Sequence, residues 1–248
     1  RQYLYSKQYS QKNAVVKFKR IKDFTRELPN ILRQIKQDLP KKEEALILYL
    51  IYKTGFRIGS HKETLADKKA YGTSTLLGKH ARISGNVISF DFIGKKGIRI
   101  QKSIQDKVLA DFLKVKIKDK ESSIFSVDDE QVRKYLKSIA EKPFTIKDFR
   151  TWLGTSLALK EVKKKSLPVS RSEFKKNRRE VAIVVSQALG NTPGIALSAY
   201  IAPEVFSSWE AEIITKEIKK TEEQEEDMKN LSEEDWEKLL EVITYDEN

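Results

Sequence analysis

The segment Ala45–Tyr52 constrains the fold more than any other part of this 248-residue chain. It reads ALILYLIY, Pro40 precedes it, and Gly55 follows it, so the pattern predicts a helix over Lys41–Lys53. Its apolar side chains cover every side of a helix instead of one stripe, and such a helix is normally enclosed by protein. The segment is therefore predicted to be a buried core helix.

The remaining pattern predicts a mainly α fold with one small embedded sheet. A helical stripe runs over Lys19–Leu39 despite Pro29. Further helices are predicted at Ile104–Lys116, Asp128–Ala140, Thr145–Leu159, Ser172–Leu189, Gly194–Ser198, Pro203–Lys220 and Glu233–Ile243. Three short β-branched segments separated by glycine-containing turns predict a three-stranded antiparallel sheet: Leu76–Ile83, Asn86–Ile93 and Gly97–Lys102.

Composition excludes several classes of protein and site. The chain has no cysteine, which rules out disulfides and thiolate metal sites. Its two histidines, His61 and His80, are too few for a histidine-based metal site, although carboxylates could still bind Mg²⁺. No apolar run approaches the roughly 18 residues of a membrane span, and no secretory segment is visible. We expect an intracellular protein that does not act at a membrane.

The charge is unevenly distributed along the chain. Residues 221–248 carry twelve Asp/Glu and two Lys, a net charge of −10, so the total of +12 leaves +22 for residues 1–220. A basic body of this size favours binding to nucleic acid, although a lysine-rich surface that only aids solubility would give the same count. The acidic segment is either a solvated extension or an internal competitor for the basic surface.

One tyrosine lies on a segment that glycine and proline divide into short pieces. The stretch Ala188–Pro203 reads ALGNTPGIALSAYIAP, so a long helix ends near Gly190 and a short one precedes Tyr200. A half-buried aromatic residue at a helix end usually serves packing. Asn191 in the same stretch is a common turn residue, but its amide could also donate to an oxyanion.

Four basic positions accompany this tyrosine. Arg57 lies between Phe56 and Ile58 and has no carboxylate within two residues. It is either an exposed cation at a helix end or an arginine near the interior that binds an anionic ligand. Lys95 lies beside Lys96 in a turn bounded by glycines, where lysine is ordinarily solvated.

Lys147 and Arg150 lie three residues apart on one face of a helix that Thr145 would cap. Two cations at this spacing repel each other unless an anion lies between them, and a phosphate is such an anion. A basic solvent face with Asp148 as counter-charge is the alternative.

Together these residues fit phosphoryl transfer. That reaction needs positive charge on the non-bridging oxygens, an in-line nucleophile and a proton for the leaving oxygen. Two arginines and an amide would supply the first, tyrosine the second and lysine the third. Only about 0.1% of a tyrosine with an ordinary pKa is ionised at pH 7, and clustered arginines would raise that fraction.

These residues, in this order, resemble the type IB DNA topoisomerases, specifically their compact bacterial and poxvirus-like branch. The resemblance extends to about Trp209. It rests on the opening RQYLYS, the RIG after the buried helix, YGTSTLL, FIGKKG, KDFRTW and LGNTP…SAYIAP. The family implies relaxation of double-stranded DNA through a 3′-phosphotyrosyl intermediate, by a monomer, without ATP, metal, cofactor or small-molecule substrate.

The resemblance also implies a role for each residue. Tyr200 would be the nucleophile, Arg57 and Arg150 would stabilise the transition state, and Lys95 would be the general acid. Asn191 occupies a position that often holds histidine. DNA contacts are implied at Lys147, Lys96, Tyr71, Gly72 and Thr73.

Some features depart from the family pattern. The stretch Ser60–Thr64 lacks the acidic–aromatic sequence that usually follows the RIG, which leaves local DNA contacts open. We expect residues 1–10 to be the remnant of a β-rich N-terminal domain, with the last strand at Arg1–Tyr9. Residues 11–220 would form the catalytic domain and residues 221–248 an acidic helical tail.

Two other functions explain part of the pattern. Tyrosine recombinases share the Arg–Lys–Arg–Tyr order but usually have histidine three residues before the second arginine and an LGH motif, where this chain has Lys147 and LGN. A non-catalytic basic DNA-binding module would explain the charge but not the ordered set.

Overall fold

The computed structural model describes residues 7–60 and 69–216, with side chains from residue 19 onward. The helices in these ranges are α1 (Lys7–Asp38), α2 (Glu43–Thr54), α3 (Lys107–Lys116), α4 (Asp129–Ile139), α5 (Ile146–Val162), α6 (Arg171–Leu189), α7 (Pro193–Ala199) and α8, described from 207 to 216. The strands are β1 (Ala81–Ser84), β2 (Val87–Ile93) and β3 (Arg99–Gln105). This confirms the mainly α fold with one three-stranded antiparallel sheet.

The chain divides into two compact units. Of the described residues, 7–60, 69–163 and 179–205 belong to the first unit, and 164–178 and 206–216 belong to the second. In the second unit, Phe174, Phe206 and Trp209 pack ring against ring, with centroids 5.7 to 6.5 Å apart. The guanidinium of Arg178 lies 5.5 Å from the ring centre of Phe206.

Helix α2 is the centre of the first unit, as the sequence predicts. Every residue from Ala45 to Ile51 is buried, and α1, α4 and α5 pack against it. On α1, the ring of Phe24 meets Phe144 and Phe149 edge-on at 5.1 and 4.9 Å. Burying one such side chain stabilises the fold by about 1.5–3 kcal/mol.

The sheet packs one face on this core. Its strands are ordered β1-β2-β3, and Ile88, Phe90 and Phe92 of β2 point inward. Phe56, just after α2, meets Phe90 and Phe92 edge-on at 5.2 and 5.1 Å. The sheet is thereby attached to the chain beyond α2.

Three predicted boundaries are wrong. The first strand was predicted from Leu76, but residues 76–78 pair instead with residues 122–124, through Ile124 N to Leu76 O (2.9 Å) and Gly78 N to Ser122 O (3.0 Å). The chain forms a 3-10 turn at Gly78–His80 before β1 begins. At the other end, β3 continues to Gln105, and α3 begins only at Lys107 because the Asp106 side chain caps it by accepting from Leu109 N at 3.0 Å.

Helix α1 also begins earlier than predicted. It starts at Lys7 rather than Lys19, so a strand at Lys7–Tyr9 is wrong; the stretch contains no glycine or proline that would interrupt a helix. The rest of that predicted strand and the helix predicted at Glu233–Ile243 lie outside the described residues.

No single helix in the described ranges is long and apolar enough to span a membrane. Taken together, α6 and α7 meet the length and composition criteria, but they are bent by 92° at the break between them.

Candidate active site

The segment Tyr71–Thr75, which we call the bracket segment, holds the loop that carries Arg57. Helix α2 ends at Gly55, whose φ of 70° is left-handed. Beyond it, the carbonyl of Arg57 accepts hydrogen bonds from Thr73 N (2.8 Å) and Thr73 Oγ1 (3.1 Å). The next carbonyl accepts two bonds from Ser74 in the same way, at 2.8 and 2.9 Å. The backbone that carries Arg57 is therefore held at two successive peptides.

The bracket segment also reaches the hairpin that carries Lys95. Tyr71 N donates to Ile93 O at 2.8 Å, at the end of β2. The predicted DNA contacts at Tyr71, Gly72 and Thr73 stay predictions: Thr73 is fully buried and Gly72 is buried, while Tyr71 is half-buried with its ring 4.4 Å from that of His80. The segment thus links the surroundings of the two basic residues.

Replacing Gly72 by alanine is expected to separate the bracket segment from the Arg57 loop. A Cβ at Gly72 would lie 2.3 Å from Gly59 N and 2.7 Å from Arg57 O, both of them backbone atoms that cannot turn away. We expect a loss of about 1–3 kcal/mol in the free energy of unfolding, measured by urea denaturation. Gly194→Ala is the control, since its Cβ would meet nothing within 4 Å. Equal stability of Gly72→Ala and native protein would contradict the close approach.

Helix α5 begins with a capping arrangement that also ties it to α1. Asp148 accepts from Thr145 N at 2.7 Å, which confirms Thr145 as the residue before the helix. Both carboxylate oxygens of Asp148 accept from Arg20, at 2.9 and 2.8 Å. Asp148 is 2% exposed, so its partner is Arg20 of α1 and not a basic solvent face.

Arg150 is buried between the ends of α2 and α6. It is 3% exposed and donates to Leu189 O at 2.9 Å and to Gly55 O. Its Nε is buried and has no hydrogen-bond partner among the described residues. Arg57 donates at 3.3 Å to Gly190 O, the carbonyl that follows Leu189 at the end of α6. The two arginines therefore approach each other from different elements.

Helix α5 also positions the backbone of Tyr200. Thr155 Oγ1 donates to Tyr200 O at 3.1 Å and accepts from Ala202 N at 3.2 Å. Gly154 leaves room for this approach, because a Cβ there would lie 2.8 Å from Tyr200 O. One helix thus carries Lys147 and Arg150 and holds the segment that bears Tyr200.

The predicted catalytic residues meet at one pocket of 560 Å³. The residues of the predicted site that line it are Arg57, Lys95, Lys96, Lys147, Arg150, Asn191 and Tyr200. Both polar atoms of the Asn191 amide are buried and without a hydrogen-bond partner among the described residues. Buried amides in proteins are normally hydrogen-bonded, so a bound ligand or water would complete this one.

The cations surround the tyrosine ring. The Arg150 guanidinium carbon lies 5.0 Å, and Lys147 Nζ 5.9 Å, from the centre of the Tyr200 ring. Burial raises the pKa of Tyr200, but Arg150, Arg57 and Lys147 together outweigh it and hold the pKa below its ordinary value. Burial, with the nearby Arg57, lowers the pKa of Arg150, which tyrosine opposes; the guanidinium still remains charged.

Removing the charge of Lys147 is expected to raise the pKa of Tyr200. In Lys147→Met, less phenolate forms at any pH below the native pKa, because one of the cations that favour it is gone. The ultraviolet difference between each protein and its Tyr200→Phe counterpart, followed against pH, reports this tyrosine alone. Lys160→Met, at the exposed end of α5, is the control and should leave the midpoint in place. An unchanged midpoint in Lys147→Met would contradict the electrostatic coupling.

The amino-acid sequence matches those of known proteins. Residues 6–232 match the family described as "Eukaryotic DNA topoisomerase I, catalytic core". The chain belongs to the type IB DNA topoisomerases. It is similar to the DNA topoisomerase 1B of Acanthamoeba polyphaga mimivirus, with 30% identity over 226 residues, which is 81% of this chain. The chain spans 66% of the length of that viral relative. Membership in the topoisomerase family decides against the tyrosine recombinases as the family of this chain.

Sequence reasoning missed several residues that support this topoisomerase site. The pairing of Arg20 with Asp148, and of Thr155 with the Tyr200 backbone, joins residues far apart in the chain. Gly154 did leave a signal: glycine within a helix costs about 1 kcal/mol relative to alanine, which indicates a close contact.

Proposed function

We propose that the chain relaxes supercoiled double-stranded DNA by cutting one strand, allowing rotation about the other and rejoining the cut. The observation that carries this proposal is the convergence on one pocket, in a topoisomerase catalytic core, of Tyr200, two arginines, two lysines of the turn and a buried amide that no described residue pairs with. Neither ATP nor a metal ion is required in this proposal, because the phosphotyrosyl bond conserves the energy of the broken phosphodiester.

The proposed steps balance within the pocket. The Tyr200 phenolate forms a bond to the phosphorus, the bond from phosphorus to the 5′ oxygen breaks, and Lys95 protonates that oxygen. Arg57 and Arg150 bind the non-bridging oxygens, where charge develops. Religation reverses each transfer: the 5′ hydroxyl returns its proton to Lys95 as it attacks, and Tyr200 leaves as the phenolate.

We assign the general acid to Lys95 and a DNA contact to Lys96. Both lysines line the pocket, on the 3-10 turn Lys95–Gly97. Lys96 has a left-handed backbone (φ 65°), whereas Lys95 directly follows the glycine that ends β2. The assignment to Lys95 rests on its match to the family motif FIGKKG.

The proposed partner is the phosphate backbone of double-stranded DNA, bound by a monomer. Residues 1–220 carry the +22 net charge calculated above, so affinity is expected to fall steeply with salt and to depend little on base sequence. We propose that the protein acts in the cytoplasm, at the bacterial nucleoid, or in a virus factory.

The proposal is tested by incubating supercoiled plasmid with the protein in EDTA and without ATP. We expect relaxation by the native protein and by Tyr52→Phe, and none by Tyr200→Phe. Tyr52 is a half-buried tyrosine stacked on Trp152, so the pair of variants removes the same hydroxyl group at two places. A native protein that neither relaxes plasmid nor forms a covalent adduct with a nicked duplex would overturn the proposal.

Deleting residues 221–248 is expected to strengthen DNA binding at low salt. The deletion removes a net charge of −10, which we propose competes with DNA for the basic surface. Affinity for a short duplex at several salt concentrations measures the effect, and the gain should shrink as salt screens the tail. Replacing the acidic residues by Gln and Asn without shortening the chain is the control. Unchanged or weaker binding would contradict competition.

A further inference from the structure

Lys102, which was not among the predicted site residues, contacts the C-terminal ends of helices α2 and α6. Lys102 is on the core-facing row of β3, between Ile100 and Ile104 and opposite Phe90 of β2. Its Nζ donates to Thr54 O at 2.6 Å and to Ala188 O at 3.2 Å. A cation thus occupies a place in the pattern where an apolar side chain is expected.

The two carbonyl groups adjoin those that the arginines bind. Thr54 precedes Gly55, and Ala188 precedes Leu189, the two residues whose carbonyl oxygens accept from Arg150. Arg57 binds the following carbonyl, Gly190 O. Lys102, Arg150 and Arg57 therefore bind five neighbouring carbonyl groups, at residues 54, 55, 188, 189 and 190, and we call this set the carbonyl clamp.

The physical reason for such a clamp is the polarity of helix ends. The last carbonyl groups of a helix lack partners within the helix and carry partial negative charge. The C-terminal ends of α2 and α6 are brought together here, so their negative ends would repel each other without cations between them. Lys102 is the cation that reaches both ends from the sheet.

Holding a charge there is unfavourable for the lysine itself. Burial, followed by the nearby Arg150, lowers the pKa of Lys102 to about 8. A methionine would fill similar space without this penalty. The hydrogen bonds from the ammonium group to Thr54 O and Ala188 O offset part of this penalty.

We propose that Lys102 is a positioning residue, which binds the carbonyl groups of the carbonyl clamp so that Arg57 and Arg150 keep their remaining donors directed at the pocket. The inference rests on the proposed function. Without Lys102, the carbonyl groups of Thr54 and Ala188 lose their cation, and Arg150 is the adjoining group able to move towards them. Arg150 would then be displaced from the scissile phosphate, and a displacement of about 1 Å reduces catalysis roughly 100-fold.

The first measurement does not depend on activity. Hydrogen exchange of the Gly55 and Asn191 amides, which bond to Ile51 O and Ser186 O at the two helix ends, should accelerate at least tenfold in Lys102→Met. The amide of Leu136, a buried residue beyond the first turn of α4, is the internal reference for global unfolding. In Lys102→Arg, exchange at both amides should remain near the native rate. Native exchange at both amides in Lys102→Met would overturn the clamp whatever the protein catalyses.

The second measurement is the single-turnover rate of covalent adduct formation. We expect a loss of about 10- to 100-fold in Lys102→Met and recovery to within about threefold of native in Lys102→Arg. Binding to an uncleaved duplex should change little. Lys107→Met, which removes an exposed lysine that follows the same strand, is the matched control. A native rate in Lys102→Met, or no recovery in Lys102→Arg, would overturn the positioning role.

The pH dependence separates charge from packing. Between about pH 7 and 9.5 the native rate, divided by that of Lys102→Arg, should fall, because lysine with a pKa of about 8 loses its proton while arginine remains charged. Among the described residues, the nearby Arg150 acts on Lys102, and the titratable or charged residues that line an adjoining 470 Å³ pocket with it are Lys79, His80, Arg82 and Asp91.

Three of these neighbours, Lys79, His80 and Asp91, keep the same charge throughout that range. Burial and then Lys79 lower the pKa of His80 below its ordinary value, and the hydrogen bond from Arg99 lowers that of Asp91 to about 2. The pKa of Lys79 is raised by its bond to Glu121. The ionisation of Tyr200 affects both proteins alike and cancels in the ratio of their rates, so a flat ratio would overturn the role of the Lys102 charge.

Failure of the native protein to form any adduct would instead count against the proposed function. Hydrogen exchange would still decide whether the carbonyl clamp exists.

Discussion

Replacing Tyr200 by phenylalanine is expected to abolish formation of the covalent protein–DNA adduct. The variant loses a single oxygen atom, the proposed nucleophile, while the ring keeps its place beside Arg150 and Lys147. Removal of a nucleophile typically reduces turnover on the order of 10⁶-fold, so no adduct should be detectable. The adduct is measured by incubating the protein with a nicked duplex, which traps it, followed by denaturing electrophoresis.

The phenylalanine variant should still fold and bind DNA. The backbone of residue 200 is held by Thr155 and by the bond from its own N to Ala196 O at 3.0 Å, neither of which needs the hydroxyl group. Tyr52→Phe should form adduct at the native rate. Adduct formation by Tyr200→Phe would show that another residue is the nucleophile, and the assignment of Tyr200 would be wrong.

Replacing Arg150 by alanine is expected to have the second-largest effect. The guanidinium is proposed to stabilise the charge that develops on the phosphate, and loss of such an arginine slows phosphoryl transfer on the order of 10³-fold or more. The substitution also leaves the carbonyl groups of Gly55 and Leu189 unpaired, which should lower the free energy of unfolding by about 1–3 kcal/mol. Single-turnover adduct formation measures the first effect, and urea denaturation measures the second.

Arg150→Lys separates the two consequences. Lysine keeps the charge but cannot bind two groups with a planar fork, so we expect only part of the rate to return. Arg99→Ala is the matched control: this arginine is paired with Asp91 on the surface, and its loss should change the rate by no more than about fivefold. Near-native cleavage by Arg150→Ala would contradict its role in the transition state.

Periodicity predicted the fold where the pattern was unambiguous. The apolar segment Ala45–Tyr52 was predicted to be a buried helix, and its residues from Ala45 to Ile51 are buried. Predictions failed at element ends, and at one of these ends hydrogen bonds to distant residues decide the structure. Residues 76–78 look like a strand and pair as one, but with residues 122–124 instead of β2, and no local pattern distinguishes these partners.

The candidate site follows the same division. The order of Arg57, Lys95, Arg150, Asn191 and Tyr200 is legible in the sequence because each lies in a short motif with its own turn or helix signal. The sequence did not show whether Asp148 is a counter-charge on the surface or a buried ion-pair partner, because its partner Arg20 lies 128 residues earlier.

The sequence by itself determined the helical class, the central helix, the basic body and the residues proposed for the chemistry, since these depend on side-chain type and short spacing. Only the tertiary structure decided how the chemistry is supported. Thr155 holds the Tyr200 backbone from 45 residues away, and Lys102 binds Ala188 O from 86 residues away. Such contacts arise when helix ends and a strand converge, and the energy of a hydrogen bond or a buried charge depends on that convergence, which no short stretch of sequence encodes.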